Sequence, residues 1–179
     1  MRAVFLDRDG VINEDRDDYI KSIHELKVFP FAPAAIRRLN KAGLCIFVVS
    51  NQQGIAKGVI SEDDLRGIQN EINRQVEEAG GKITEFYYCK HLSLEECACR
   101  KPQAGMLMNA AREHGVELKE SVMVGDSERD IIAGKRAGCK TVLVLTGKLA
   151  REDTEYLTDK PDFVANDLSD AAEYIISLR

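Results

Sequence analysis

The sequence predicts an α/β fold: a doubly wound, Rossmann-like parallel sheet covered by helices on both faces, with residues 1–179 as a single domain. Short apolar segments without polar alternation are typical of strands that are buried on both faces. Here they are separated by segments with helical periodicity, which is the pattern of a parallel sheet. A length of 179 residues suits one domain whose core needs no disulfide.

The elements follow from local signals in chain order. We expect strands at residues 3–6, 44–50, 83–89, 122–125, 141–145 and 163–165, and helices at residues 33–42, 61–79, 105–114, 129–137 and 168–178. Pro33 and Gly43 bracket the first helix. Residues 61–64 read as a capping box that opens the second helix. Gly115 and Gly138 are expected to end the third and fourth helices.

The composition excludes several classes of function. There are 25 basic and 30 acidic side chains, so the net charge is −5. A broad basic surface for nucleic acid or acidic lipid is therefore not expected, and an anionic ligand would need a metal or a focused cluster of cations. Because no apolar run approaches the length of a spanning helix and the N-terminus does not resemble a signal peptide, we expect a cytoplasmic protein without membrane contact.

Carboxylates follow two of the predicted strands. Asp7 and Asp9 come after the first strand, with Gly10 allowing a turn that would let the two carboxylates take separate roles in nucleophilic attack and proton transfer. Asp126 follows the fourth strand and suits a Mg²⁺ ligand. Asp130 could support that site or simply stabilise the start of the next helix. A charged loop after a strand is the alternative for Asp7 and Asp9.

Groups that could bind an anion follow the second strand and precede the third helix. The second strand is followed by a hydroxyl and three amides, Ser50, Asn51, Gln52 and Gln53, which could hold phosphoryl oxygens. The alternative for them is ordinary turn chemistry. Arg100 and Lys101 form a compact cationic pair that suits an anionic substrate. A pair of surface cations is the alternative there.

Four side chains in one short window predict a zinc site. Cys89 and His91 are separated by five residues from Cys97 and Cys99. Three thiolates and one imidazole complete a tetrahedral Zn²⁺ site with no open position, so the zinc would be structural. The odd number of five cysteines also favours metal over disulfides. Buried free cysteines beside a surface histidine are the alternative.

Together these residues resemble the haloacid dehalogenase (HAD) superfamily of phosphohydrolases. Four motifs occur in that family's order: Asp7-x-Asp9-Gly10-Val11, Ser50, Lys101 and Gly125-Asp126-x-x-x-Asp130. Within the superfamily, the sequence is similar to the D-glycero-D-manno-heptose 1,7-bisphosphate phosphatases. The stretches that match are residues 7–13, 51–58, 87–91, 97–102 and 105–107. The zinc loop is shared with histidinol-phosphate phosphatases, so a histidinol-phosphate or other small-molecule phosphatase is the alternative.

The resemblance implies roles for individual residues. Asp7 would attack phosphorus, and Asp9 would protonate the leaving oxygen and then activate water. Mg²⁺ would be held by Asp7, the carbonyl of Asp9 and Asp126. Ser50 and Lys101 would hold the transferred phosphoryl group, and Arg100 would meet a second phosphate or a sugar hydroxyl. Lys57 falls where some members carry arginine.

The resemblance also implies a substrate and a pocket. The expected reaction is removal of the 7-phosphate of a heptose bisphosphate in the synthesis of lipopolysaccharide core precursors, by a monomer that binds no nucleic acid. No segment is long enough for a separate cap domain, so residues 13–28, residues 51–59 and the zinc loop must shape the pocket. Two further hypotheses are a phospho-accepting receiver domain, which would not need Asp9, and a non-catalytic zinc module, which would leave the carboxylates unexplained.

Overall fold

The computed structural model describes residues 1–178. Its strands are β1 (Ala3–Leu6), β2 (Cys45–Asn51), β3 (Glu85–Cys89), β4 (Val122–Gly125), β5 (Lys140–Val144) and β6 (Phe163–Ala165). Its α-helices are α1 (Ala32–Lys41), α2 (Glu62–Glu78), α3 (Gly105–His114), α4 (Glu128–Ala137) and α5 (Leu168–Ser177). Every predicted strand and helix is present, with ends that differ by at most two residues.

The six strands form one parallel sheet in the order β3-β2-β1-β4-β5-β6, which confirms the predicted fold class. β1 lies at the centre, where Val4 pairs with Ile46 of β2 and with Val122 of β4. The chain winds outward in one direction from β1 to β3 and in the other from β4 to β6. Ligands of such sheets bind at the carboxyl ends of the strands, where the winding reverses.

Alternate residues of β1 face two separate apolar cores. Val4 and Leu6 pack in a core that includes buried residues of α1, α2 and α5. Ala3 and Phe5 pack in a second core with α3. All four residues are completely buried. Both faces of the sheet are therefore covered, which explains why the strands read as continuous apolar runs rather than as alternating ones.

The helix ends largely follow the sequence signals. The Ser61 hydroxyl accepts a hydrogen bond from the Asp64 backbone N–H at 3.0 Å, and the Asp64 carboxylate accepts one from the Ser61 N–H in return. Gly115 and Gly138 end α3 and α4 in the left-handed conformation. Leu44, predicted to start β2, still belongs to the turn that follows α1, because its N–H donates to the Leu39 carbonyl.

Two short 3₁₀ segments, Leu118–Glu120 and Glu152–Tyr156, were not predicted, since such turns carry little periodicity. Among residues 1–178, no helix combines the length and the apolarity that crossing a membrane requires.

Candidate active site

Polar residues at the carboxyl ends of β1, β2 and β4 meet at one cleft of about 220 Å³. Asp7 enters it from the end of β1, Ser50 from β2 and Asp126 from the end of β4. Arg100 and Lys101 reach the same cleft from the segment between β3 and α3. The topology therefore brings the predicted carboxylates, hydroxyl and cations together, although they are up to 119 positions apart in the sequence.

Three carboxylates crowd together at the floor of the cleft. Oxygens of Asp7, Asp126 and Asp130 lie within 4.8 Å of one another. Gly10 makes this approach possible, because it has a φ of +80° and a Cβ at its position would overlap the Asp126 carboxylate. The turn predicted at Gly10 is therefore present, and the glycine also leaves space for a carboxylate.

The crowding favours a cation. Burial, together with repulsion from Asp130 and Asp7, raises the pKa of Asp126 to about 8. Burial also raises the pKa of Asp7 to about 6, against the attraction of Lys101. A divalent ion bound between these carboxylates would stabilise their ionised forms. Mg²⁺ suits a ligand set made only of oxygens. Asp7 and Asp126 thus fit the predicted magnesium site.

Lys101 is held at the floor of the cleft from two directions. Its side chain is 1% exposed, and its Nζ lies 2.8 Å from Asp7 Oδ2 and 2.6 Å from Asp130 Oδ1. The Asn51 amide donates to the Lys101 carbonyl and accepts from the Lys101 N–H, both at 3.0 Å. Asn51, predicted to bind phosphate, therefore fixes the backbone of the cationic residue.

Asp130 stabilises the start of a helix and also pairs with the cation at the floor of the cleft. Its carboxylate accepts hydrogen bonds from the Ser127 backbone N–H at 3.1 Å and from the Ser127 hydroxyl at 2.5 Å, which stabilises the start of α4. The same carboxylate, completely buried, forms the ion pair with Lys101. It therefore connects the start of a helix to the cation beside Asp7.

Asp9 has partners of its own, separate from the Asp7 cluster. Arg8 donates to both of its oxygens, and Asn13 and Gln52 add one hydrogen bond each at 2.9 Å. Burial opposes ionisation of Asp9, but the charge of Arg8 and these hydrogen bonds outweigh it and lower its pKa. Two carboxylates that stand two positions apart thus occupy different environments.

The amides after β2 contact protein groups as well as the cleft. Gln52 Nε2 donates to Ser50 Oγ at 3.0 Å in addition to Asp9. Gln53 donates to the Tyr19 hydroxyl at 3.1 Å. Lys57 also donates to that hydroxyl, at 2.8 Å, but is not among the residues that line the cleft.

Several residues of the cleft were not singled out from the sequence. Tyr19 lies in the predicted shaping segment 13–28 and has a φ of +68°, which no local signal indicated. Arg8 lies between the two motif aspartates. Lys148 follows β5 and contacts Asp17 across the mouth of the cleft. The polar residues after the fifth strand were a signal that could have identified Lys148.

The four predicted zinc ligands lie within 4.8 Å of one another. Sγ of Cys99 lies 3.1 Å from Sγ of Cys89 and 3.6 Å from that of Cys97, and His91 Nδ1 lies 3.2 Å from Cys99 Sγ. Around a tetrahedral zinc, sulfur ligands at roughly 2.3 Å are separated by roughly 3.8 Å. The cluster is therefore slightly contracted but of the right size and chemistry for Zn²⁺, with Nδ1 as the imidazole ligand.

The zinc loop, residues 89–99, rests against the start of α3. The Gly105 N–H donates to the Ala98 carbonyl at 3.0 Å. A Cβ at Gly105 would overlap that carbonyl group, so only glycine allows the two backbones to approach this closely. The loop is therefore tied to α3 on one side and continues directly into Arg100 and Lys101 on the other.

Replacing Cys97 with alanine should reduce bound zinc well below one ion per chain and lower kcat/KM by about tenfold. The zinc itself has no open position for substrate, so the loss would come from displacement of Arg100 and Lys101. Metal analysis and phosphate release measure the two effects. Cys139→Ala, which alters a cysteine outside the loop, is the control and should retain full zinc. If Cys97→Ala kept both zinc and kcat/KM, the ligand assignment would be wrong.

Comparisons with known proteins identify the relatives of this chain. A HAD-hydrolase-like family model matches residues 98–171. A D-glycero-β-D-manno-heptose-1,7-bisphosphate 7-phosphatase from Neisseria meningitidis is 35% identical over 178 residues, covering 98% of this chain and 95% of the relative. One from Pseudomonas aeruginosa is 42% identical over 148 residues, covering 83% of each chain.

A solved structure is similar over its whole length. It is a D,D-heptose 1,7-bisphosphate phosphatase from B. bronchiseptica in complex with magnesium and phosphate, with 35% identity, a TM-score of 0.92 and complete coverage of both chains. The similarity spans the zinc loop and every strand end that contributes to the cleft. A receiver domain and a non-catalytic zinc module are therefore disfavoured.

Proposed function

Because the chain belongs to the family of D-glycero-D-manno-heptose-1,7-bisphosphate 7-phosphatases, we propose that it removes the 7-phosphate of that sugar bisphosphate with the help of Mg²⁺. The observation that carries the reaction class is the pairing of Asp7 with Lys101 beside Asp126, with Asp9 on separate partners. The product would serve the synthesis of nucleotide-activated heptose for the lipopolysaccharide core.

In the first step, a carboxylate oxygen of Asp7 attacks phosphorus and the bond from phosphorus to the sugar oxygen breaks. Asp9 takes up a proton as the phosphate dianion binds near it, because nearby negative charge raises the pKa of a carboxyl group, and it gives that proton to the sugar oxygen as the sugar leaves. Ser50 and Lys101 hold the phosphoryl oxygens, and Arg100 at the mouth of the cleft meets the second phosphate. The result is an aspartyl phosphate on Asp7 and an ionised Asp9.

In the second step, Asp9 takes a proton from a water molecule, which attacks phosphorus. The bond between phosphorus and Asp7 breaks, releasing orthophosphate and regenerating the Asp7 carboxylate. Mg²⁺ bound by Asp7, Asp126 and the Asp9 carbonyl would supply positive charge that offsets the repulsion between the nucleophile and the phosphate. Lys101 favours the ionised form of Asp7 for the attack in the first step, against the burial that raises the pKa of this carboxyl.

A phosphate-release screen tests the substrate. The two anomers of the heptose 1,7-bisphosphate, histidinol phosphate and a nucleoside monophosphate are compared at equal concentration with the magnesium-loaded protein. We expect the highest kcat/KM for a heptose bisphosphate. A higher value for histidinol phosphate would favour the alternative that shares the zinc loop, and a higher value for the nucleotide would overturn both assignments.

Dialysis against EDTA should abolish activity, and added Mg²⁺ should restore it while Zn²⁺ should not. The reason is that the ligands at the cleft are all oxygen, whereas the nitrogen and sulfur ligands lie in the loop. Zinc content is measured after dialysis, so that loss of the structural ion can be distinguished from loss of the catalytic one. Recovery with Zn²⁺ alone would contradict this division of metals.

We also propose that the protein acts in the cytoplasm as a monomeric single domain formed by residues 1–179. All five cysteines are free, and a thiolate-rich zinc site suits a reducing compartment. Sedimentation of the purified protein tests the monomer, and a mass of two or more chains would refute it.

A further inference from the structure

Arg8, the residue between the two motif aspartates, has one of the largest fully buried side chains in the described structure. Its side chain is 1% exposed. Burying a guanidinium is costly unless it is paired, and the only carboxylate it pairs with among residues 1–178 is Asp9. Arg8 is also one of the residues that line the cleft.

The contact between the Arg8 guanidinium and the Asp9 carboxylate is bidentate. Arg8 Nη2 lies 2.9 Å from each oxygen of Asp9, and Arg8 Nε lies 3.1 Å from Oδ1. Asn13 Nδ2 donates to Oδ1 and Gln52 Nε2 to Oδ2, each at 2.9 Å. Bidentate contacts fix both the position and the plane of a carboxylate, which a single cation does not.

The remaining side-chain donor of Arg8, Nη1, contacts no carboxylate among the described residues. Arg8 Nη1 and the Tyr88 hydroxyl are both buried and lie near each other, but neither forms a well-oriented hydrogen bond with a described residue. The well-oriented hydrogen bonds of the Arg8 side chain all go to Asp9, which points to a role in the chemistry of that carboxylate.

We propose that Arg8 is a positioning residue that holds the acid/base Asp9 in place for both proton transfers. The inference rests on the proposed function, in which Asp9 protonates the sugar oxygen and later activates water. Arg8 does not touch the substrate in this role. Its backbone N–H donates to Asp7 Oδ1 at 2.7 Å, and a change of the side chain leaves that donor in place.

A change of leaving group can separate the two steps of the reaction. With a leaving group that needs no proton, only the second step, hydrolysis of the aspartyl phosphate, still requires Asp9. A sugar alkoxide needs a proton in order to leave, but p-nitrophenolate does not. With p-nitrophenyl phosphate, a displaced Asp9 would still allow the Asp7–phosphorus bond to form and nitrophenolate to depart. Only the attack of water on the aspartyl phosphate would be slow, so phosphorylated protein would accumulate.

The test compares Arg8→Met and Arg8→Lys with wild type and with the control Tyr88→Phe. Rapid mixing with p-nitrophenyl phosphate follows nitrophenolate, and acid quenching followed by intact mass follows the phosphorylated protein. We expect both Arg8 variants to release about one nitrophenolate per chain in a burst and then to turn over at least about tenfold more slowly than wild type. On the heptose bisphosphate, kcat should fall about 10²-fold with little change in KM.

Tyr88→Phe removes the buried hydroxyl near Arg8 without altering a partner of Asp9, and it should show no burst beyond that of wild type. Arg8→Lys keeps a positive charge but loses the bidentate contact with Asp9, so it provides the test if Arg8→Met does not fold. A uniform loss of rate without accumulation of phosphorylated protein would overturn the inference, as would normal turnover. Failure of the proposed function would appear separately, as wild-type protein that does not hydrolyse the heptose bisphosphate.

Discussion

Asp7→Asn is expected to lose about 10⁴-fold or more in kcat while the protein remains folded. Asparagine has almost the same shape but lacks the nucleophilic carboxylate oxygen. The substitution also removes one charge from a crowded cluster in which burial raises the pKa of Asp7 to about 6. The melting temperature in the absence of metal should therefore not fall.

Steady-state phosphate release and thermal unfolding measure the two expectations. Asp63→Asn, on the exposed surface of α2, is the matched control and should retain wild-type rates. An Asp7→Asn protein whose kcat lies within tenfold of wild type would rule out Asp7 as the nucleophile. A loss of activity accompanied by unfolding would show that the charge is needed for the fold.

Lys101→Met should have the second largest effect, on stability and activity together. The ammonium lies between two carboxylates, at 2.8 Å from Asp7 and 2.6 Å from Asp130, with almost no exposure to solvent. Removing one member of a buried ion pair typically costs about 3–5 kcal/mol, because an uncompensated charge remains. Loss of a preorganised cation beside the reacting phosphoryl group should also lower kcat by about 10²–10³-fold.

Urea unfolding gives the free energy of unfolding, and phosphate release under conditions where the variant is folded gives the rate. Lys82→Met, in the exposed turn before β3, is the control and should change neither. If Lys101→Met unfolded at the wild-type urea concentration, the buried ion pairs would not be a major source of stability. If its kcat were also unchanged, Lys101 would have no part in the reaction.

The fold and the position of the site could be predicted because they depend on repeating features of the chain. Apolar segments of strand length, separated by helices, allow few arrangements other than a parallel sheet. The carboxyl ends of those strands share one edge, so the residues after β1, β2 and β4 must lie near one another. The spacing of the cysteines and His91 likewise indicated one metal site.

The individual contacts could not be predicted in this way. The sequence does not show that the Asn51 amide binds the Lys101 backbone, or that Arg8 turns toward Asp9 rather than toward solvent. Both depend on which rotamer the surrounding packing allows. The left-handed backbone of Tyr19 is a further case, since tyrosine has no local preference for it and only the tertiary structure can impose it.

The close contact between Gly105 and Ala98 limits how this enzyme could be re-engineered. A loop grafted in place of residues 89–99 would have to carry its own backbone past the first turn of α3, and most conformations would collide there. The graft should therefore extend through Gly105 rather than stop at the last cysteine. Residues 89–105 would therefore have to be exchanged together when the loop is transferred between related enzymes.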